Sequence, residues 1–331
     1  MMDGLREAGW QVDYGEDHRL FPALTTCLRH RPDAIHFDWI HRYLVRSREW
    51  LSWLTLPLFY LDILLTQLLF PRTKLVFTLH NLVPHDTTAG PWLLRARAFF
   101  MRRVALVRVF SPGTIERARE LYPSVPAAKF HAVPEGSYLG WYPAALDVKT
   151  AKQRLAIPTD DFVLLYFGGI RPYKGIVELI KAFQAQPITI RLRLMIVGKP
   201  YTASYLAEVE AAARVDARIQ VVGKFVADDE VSNYLSAADL VVLPFKTVEN
   251  SGSVILAMGY GKPVVAPRTG VVADRLRQQT ELLYEDDLPG ALNRAIATDK
   301  EKLEGYGEAN LTAVQQYAWA DFGHYLRQEL A

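Results

Sequence analysis

Short apolar runs alternate along this chain with segments whose apolar positions repeat at helical spacing. The runs predict strands at Gln11–Tyr14, Ala34–Phe37, Lys74–Thr78, Leu106–Phe110 and Lys129–Val133 in the first half. They predict further strands at Phe162–Phe167, Arg193–Val197, Ile219–Val222, Leu240–Leu243, Pro263–Ala266 and Glu281–Leu283 in the second. Strands that alternate with amphipathic helices imply parallel sheets covered on both faces. The stretch Tyr138–Thr150, with Gly140 and Pro143, reads as the linker. At 331 residues, half of them apolar, the chain can bury two cores, and two Rossmann-like domains of about 150 residues each fit that length.

Two strand–turn–helix junctions carry candidate chemistry. The first is Tyr166–Gly175, YFGGIRPYKG, followed by Ile176, Leu179, Ile180 and Phe183 on one helical face. Gly168 and Gly169 let a ligand approach the backbone without a Cβ in the way. The next helix start offers N–H groups and a positive dipole end to an anion, and Arg171 and Lys174 add two cations. A diphosphate fits such a mouth; the plain alternative is an ordinary turn with two solvated cations. The second junction runs from Leu240–Phe245 through Glu249, Asn250, Ser251, Gly252 and Ser253 into Val254–Met258. Asn250 or Ser251 can cap that helix. Two such starts at the carboxyl edge of one parallel sheet can converge on one ligand.

Taken in order, these pieces resemble a GT-B glycosyltransferase of the large family 4. The resemblance rests on Phe77–Asn81, Phe110-Ser111, Val133–Gly136, Gly168–Gly175, Val222–Phe225, Ala238-Asp239, Asn250–Ser253, Gly261–Pro263 and Trp319, and covers nearly the whole chain. It implies an α/β fold of two Rossmann-like, doubly wound parallel-sheet domains with an interdomain cleft. The acceptor domain is expected over 1–148, the donor domain over 149–308, and a final helix over 309–331 crossing back to the first. It implies an enzyme that moves a sugar from a nucleoside-diphosphate sugar to a saccharide or lipid-linked acceptor, in polysaccharide or glycoconjugate assembly. A non-catalytic relative that binds a partner or a nucleotide is the alternative.

The resemblance also assigns roles. Lys174 matches the family lysine, while the usual arginine position holds Gly169 and Arg171 stands two residues later. Gly168, Gly169, Arg171, Lys174, Glu249, Asn250, Ser251, Gly252 and Ser253 form the expected donor site. The family's second glutamate, which holds the ribose, falls on Leu256, which cannot accept a hydrogen bond. His80 is the residue expected to face the donor sugar, Asp38 and Asp86 are the candidate bases, and Glu135 is a donor-side candidate. The family retains configuration, which needs no protein base; inversion would require a carboxylate to take the acceptor proton. No Asp-x-Asp, His-Glu-x-x-His or paired-cysteine motif occurs, so no metal is expected to carry the diphosphate charge. No Gly-x-Gly-x-x-Gly or Gly-x-Ser-x-Gly occurs either, which disfavours nicotinamide enzymes and serine hydrolases.

The net charge of +2 gives no global field for nucleic acid. Between Arg42 and Arg108, however, ten lysines and arginines face three acids. The apolar segment Trp50–Phe70 within this region contains Pro57 and Asp62, and Ser52, Thr55, Asp62 and Thr66 share one stripe at helical spacing. It reads as a buried helix or as an interfacial helix beside anionic lipid, not as a span. Peripheral membrane contact through 42–108, at the cytosolic face of the inner membrane, is the corresponding expectation, and the single cysteine, Cys27, fits a reducing compartment. Met1–Gly9 reads as the end of a helix, so roughly 15–20 residues of strand and loop are expected upstream.

Overall fold

A computed structural model describes residues 1–15, 20–45, 49–83, 91–187, 191–246, 248 and 250–330. Asp86 and Glu249, two of the expected site residues, lie outside that set. The chain divides into two compact units, Met1–Gly136 with Ala318–Ala331, and Ser137–Tyr317.

The first unit holds a parallel sheet of β1 (Ala34–Phe37), β2 (Lys74–Thr78), β3 (Leu106–Val109) and β4 (Phe130–Ala132), in that order. Its helices are α1 (Met2–Glu7), α2 (Pro22–His30), α3 (His41–Leu44), α4 (Glu49–Leu69), α5 (Pro91–Arg103) and α6 (Pro112–Leu121). The core between sheet and helices includes Phe37, Ile63, Phe77, Phe100 and Met101, all essentially solvent-free. Burying each such side chain contributes about 1.5–3 kcal/mol.

The second unit contains α7 (Val148–Arg154), β5 (Phe162–Phe167), α8 (Ile176–Gln184), β6 (Leu192–Val197), α9 (Ala203–Ala213), β7 (Ile219–Val222) and α10 (Val231–Ala237). It continues through β8 (Leu240–Val242), α11 (Gly252–Gly259), β9 (Val264–Pro267), α12 (Gly270–Arg275), β10 (Leu283–Tyr284), α13 (Leu288–Ile296) and α14 (Lys300–Val314). The last helix, α15 (Ala320–Leu330), packs on α1 in the first unit. The six strands are parallel in the order β10-β9-β8-β5-β6-β7. The chain winds outward from β5 to β7, then returns to β8 on the other side of β5. That reversal is the switch point at which parallel sheets open a crevice beyond their carboxyl ends.

Several expectations shift. Gln11–Tyr14 forms no strand; the Val12 carbonyl accepts from the Arg6 side chain, and the indole of the preceding Trp10 donates to the Gly323 carbonyl of α15. Glu281 belongs to a 3₁₀ turn, and strand β10 begins two residues later. The expected linker belongs to the second unit: Tyr138 and Tyr142 pack on its core, and the Leu146 amide donates to Ser236 Oγ. The boundary therefore lies at 136/137 rather than 148, and the return at 317/318 rather than 309. The expected final helix is two helices, because the Tyr317 carbonyl accepts from the Ser137 amide instead of continuing a helical ladder. Trp319 then lies against Gly4 and Gly136, where a Cβ would overlap it.

α4 is turned inside out. Its polar stripe, Ser52, Asp62 and Thr66, is buried. The Asp62 carboxylate accepts from the amides of Ala23 (3.0 Å) and Leu24 (2.8 Å), in the first turn of α2. The cap residue of α2, Phe21, supplies no side-chain acceptor, so Asp62 caps that helix from across the unit.

Candidate active-site residues in the two units

In the second unit the turns after β5 and β8 meet at the switch point. Gly168, at φ +149°, has the Oγ of Ser253 against its open side; a Cβ there would stand 2.8 Å from that oxygen. Gly175 has φ +69°, and a Cβ would lie on the Pro244 carbonyl oxygen. The Lys246 amide donates to the Tyr173 carbonyl at 3.1 Å, which ties the two turns together. The Tyr166 hydroxyl donates to the Gly169 carbonyl at 2.7 Å and fixes the end of β5.

Lys174 stands in this mouth with its Nζ 4.0 Å from the centre of the Phe245 ring. Burial, with the Arg171 charge second, holds its ammonium down to about 8. Arg171 lies over the Tyr201 ring at 4.9 Å. Helix α8 starts at Gly175, which brings no side chain to its first-turn amides. Helix α11 starts at Ser251, whose Oγ accepts from the Val254 amide at 3.4 Å. Gly252 and Ser253, in the same first turn, have no intrahelical acceptor by position.

The expected donor residues thus divide by task. Gly168 meets Ser253 and Gly175 meets Pro244 where the two turns touch, Lys174 lies over Phe245 and Arg171 over Tyr201. Ser251 is a buried helix cap. Asn250 accepts from its neighbour's amide at 2.9 Å and from buried Arg275 at 2.8 Å, so it braces the turn. Leu256 is buried and lines an apolar cavity of about 290 Å³ with Tyr138, Tyr142 and Tyr260. Lys262 of the Gly-Lys-Pro run donates to the carbonyls of Ser236 (3.1 Å) and Ala238 (2.8 Å), and Asp239 accepts from Lys152 at 2.9 Å. Those two motifs hold the scaffold.

In the first unit, Asp38 and His80 extend from the carboxyl ends of β1 and β2, and they meet: His80 Nε2 lies 2.8 Å from Asp38 Oδ1. An ionised carboxylate only accepts, so Nε2 carries the proton and Nδ1 of a neutral ring keeps its lone pair. Burial raises the Asp38 carboxyl, but the His80 hydrogen bond and charge, backed by His36 and Arg108, leave it below the usual range. Trp39 stacks flat on the His80 ring at 4.3 Å, and Phe110 flanks it at 5.4 Å. Trp39 directly follows Asp38 in the sequence, where nothing marks it as a stacking partner of His80. Behind the pair, His36 Nε2 hydrogen-bonds Thr78 Oγ1 at 2.7 Å, and burial drives its ring down to about 4.

Two parallel α/β units, one with an anion-receptive mouth at a switch point and one with a positioned Asp–His pair, define a GT-B type protein. Comparison with known proteins gives the family. The model for "Glycosyl transferases group 1" matches residues 161–298. A GDP-mannose:glycolipid 4-beta-D-mannosyltransferase of Xanthomonas campestris pv. campestris is 32% identical over 275 residues, covering 82% of this chain and 72% of the relative. A lipopolysaccharide 1,2-N-acetylglucosaminetransferase of Salmonella typhimurium is 29% identical over 220 residues, 62% of this chain and 57% of that protein. Among solved structures, Anabaena HepE in complex with UDP and glucose aligns with a TM-score of 0.69 at 21% identity, covering 93% of this chain and 80% of that one. Sucrose-phosphate synthase from Thermosynechococcus elongatus aligns at 0.71 and 20% identity, over 93% and 75%. The chain belongs to the glycosyltransferases and has the GT-B fold.

Proposed function

We propose that this enzyme transfers a sugar from a nucleoside-diphosphate sugar to a saccharide or lipid-linked acceptor, without a divalent metal and with retention of configuration, in polysaccharide or glycolipid assembly. The observation that carries the reading is the meeting of the two turns, Gly168 against Ser253 and Gly175 against Pro244, with Lys174 over the adjoining Phe245 ring. A departing diphosphate needs its charge neutralised in the transition state. Preorganised cations and amide dipoles supply that where water is excluded. Lys174, Arg171 and the two helix starts are such groups, so no metal is required. The acceptors that the two relatives are named for, a glycolipid and a lipopolysaccharide, support the acceptor class.

One observation favours a second reading, inversion. The Asp38–His80 pair is a preformed acceptor for a proton: the ring takes it, and the carboxylate stabilises the imidazolium. Retention would leave that pair without a proton to take. The test is to incubate the purified chain with GDP-mannose or UDP-glucose and a glycolipid acceptor, with EDTA present, and to read the product's anomeric configuration by NMR. A retained anomer supports the first reading. An inverted anomer, with transfer lowered about hundredfold in Asp38→Asn, establishes the second. Donor binding without hydrolysis or transfer of any sugar would return the protein to the non-catalytic alternative.

A further inference from the structure

Helix α4 spans 21 residues, about 30 Å at helical rise. Among its described side chains, every exposed one is apolar, including Trp50, Trp53, Leu54, Leu61, Leu64 and Leu68. Leu54 and Leu68 are 61% and 74% exposed. A surface helix of a water-soluble domain ordinarily shows the opposite arrangement, and a continuous apolar face of this length marks a docking surface. The inversion is anchored, because the buried carboxylate of Asp62 caps α2 and so fixes which side of the helix faces out.

The border of the face identifies what covers it. α5 lies alongside: Trp92 meets Trp53 at 5.3 Å, Phe99 meets Tyr60 at 4.0 Å, and Gln67 donates to the Arg103 carbonyl. One step round α5 from Trp92 and Phe99 stand Arg95 and Arg102, both exposed. Arg72 and Lys74 are exposed just past the end of α4. Three further arginines of the basic stretch are held inward: Arg97 and Arg108 are buried on backbone carbonyls, and Arg103 donates to the Phe99 carbonyl within α5. An apolar face rimmed by cations, with tryptophans at one end, is the chemistry of an interfacial helix on anionic lipid. A second copy docked by two-fold symmetry would place the same cations against each other. α2 and α5 pack on the inner side of the helix, so only its outer face is open to lipid.

We propose that α4 docks the protein on an anionic bilayer surface, lying in the plane of the interface with its outer face among the lipid chains. This inference is independent of the donor chemistry. The experiment is co-flotation of the full chain with vesicles of phosphatidylcholine alone and of phosphatidylcholine mixed with phosphatidylglycerol, at low and raised salt. Binding is expected on the anionic vesicles, weaker on the neutral ones, and weakened by salt. Leu61→Glu/Leu64→Glu is expected to lower it by more than about tenfold, since both positions move from lipid to charge. Arg95→Glu/Arg102→Glu should abolish the preference for anionic vesicles and guards against a folding defect in the first variant, with circular dichroism checking both. Failure to bind either vesicle, or binding that neither variant alters, overturns the proposal. A dimer in light scattering that Leu61→Glu/Leu64→Glu splits, without vesicle binding, overturns it in favour of a second copy.

Discussion

The two units present their chemistry in opposite ways. In Ser137–Tyr317 the proposed site is made by the main chain: two glycine-bearing turns and two helix starts, with one half-buried lysine beside them. In Met1–Gly136 it is made by side chains: a carboxylate and an imidazole at hydrogen-bond distance, clamped by Trp39 and Phe110. A main-chain site tolerates exchange of side chains wherever space allows and fails where a Cβ intrudes. A side-chain site fails when a proton or an acceptor is lost. The lysines of the second unit make the same point within one sheet. Burial holds both Lys174 and Lys262 down to about 8, yet Lys262 is spent on two carbonyls while Lys174 faces an aromatic ring and leaves its protons for a ligand.

The sharpest break comes at Lys174. Lys174→Ala should lower sugar transfer by about 10³-fold, near 4 kcal/mol of transition-state stabilisation, read as kcat/KM, while thermal unfolding of the free protein changes little. Gly175→Ala tests the main-chain account through stability: a left-handed φ and a Cβ on the Pro244 carbonyl should together cost about 3 kcal/mol in denaturant unfolding.

The first unit should answer to pH instead. His36 has its folded pKa driven from 6.5 to about 4, so the unfolded chain binds its proton first. The stability this confers is fully present above pH 6.5 and is lost as pH falls toward 4, a loss of about 3 kcal/mol. His36→Gln should flatten that slope. The smallest effect is the pH dependence of donor affinity. If Lys174 holds the diphosphate as proposed, affinity should be level below its pKa of about 8 and weaken above it by about tenfold per pH unit. Calorimetric titration reads it, and Lys174→Arg should remove the slope.

Legibility in the sequence followed the same division. Phe162–Phe167 and Ile219–Val222 are strands at their expected bounds, because continuous apolar runs between glycine turns have one burial solution in a parallel sheet. Alternation implied a parallel sheet with both turns at its carboxyl edge; their meeting comes from β8 lying beside β5, a strand order that alternation does not carry. Gln11–Tyr14 shares the composition of a strand, but a strand needs a ladder partner, and the Val12 carbonyl is taken by the Arg6 side chain instead. Asn250 looked like a ligand contact because a polar side chain in a turn serves a ligand or a neighbouring arginine equally well; Arg275 lies a helix away in sequence. The Asp38–His80 bond spans 42 residues, so the pattern offered both residues separately and could not join them. α4 showed its polar stripe plainly, but only the capping of α2 decides that the stripe faces inward.

The most direct measurement is thermal unfolding of the protein with GDP, UDP, ADP and their sugar conjugates, each with EDTA present. At about a hundredfold excess over its dissociation constant a bound nucleotide adds about 2.7 kcal/mol, a rise of several degrees. The account predicts that rise for one nucleotide and its loss in Lys174→Ala. A rise that survives Lys174→Ala, one that appears only when a divalent metal replaces the EDTA, or none with any nucleotide would contradict it.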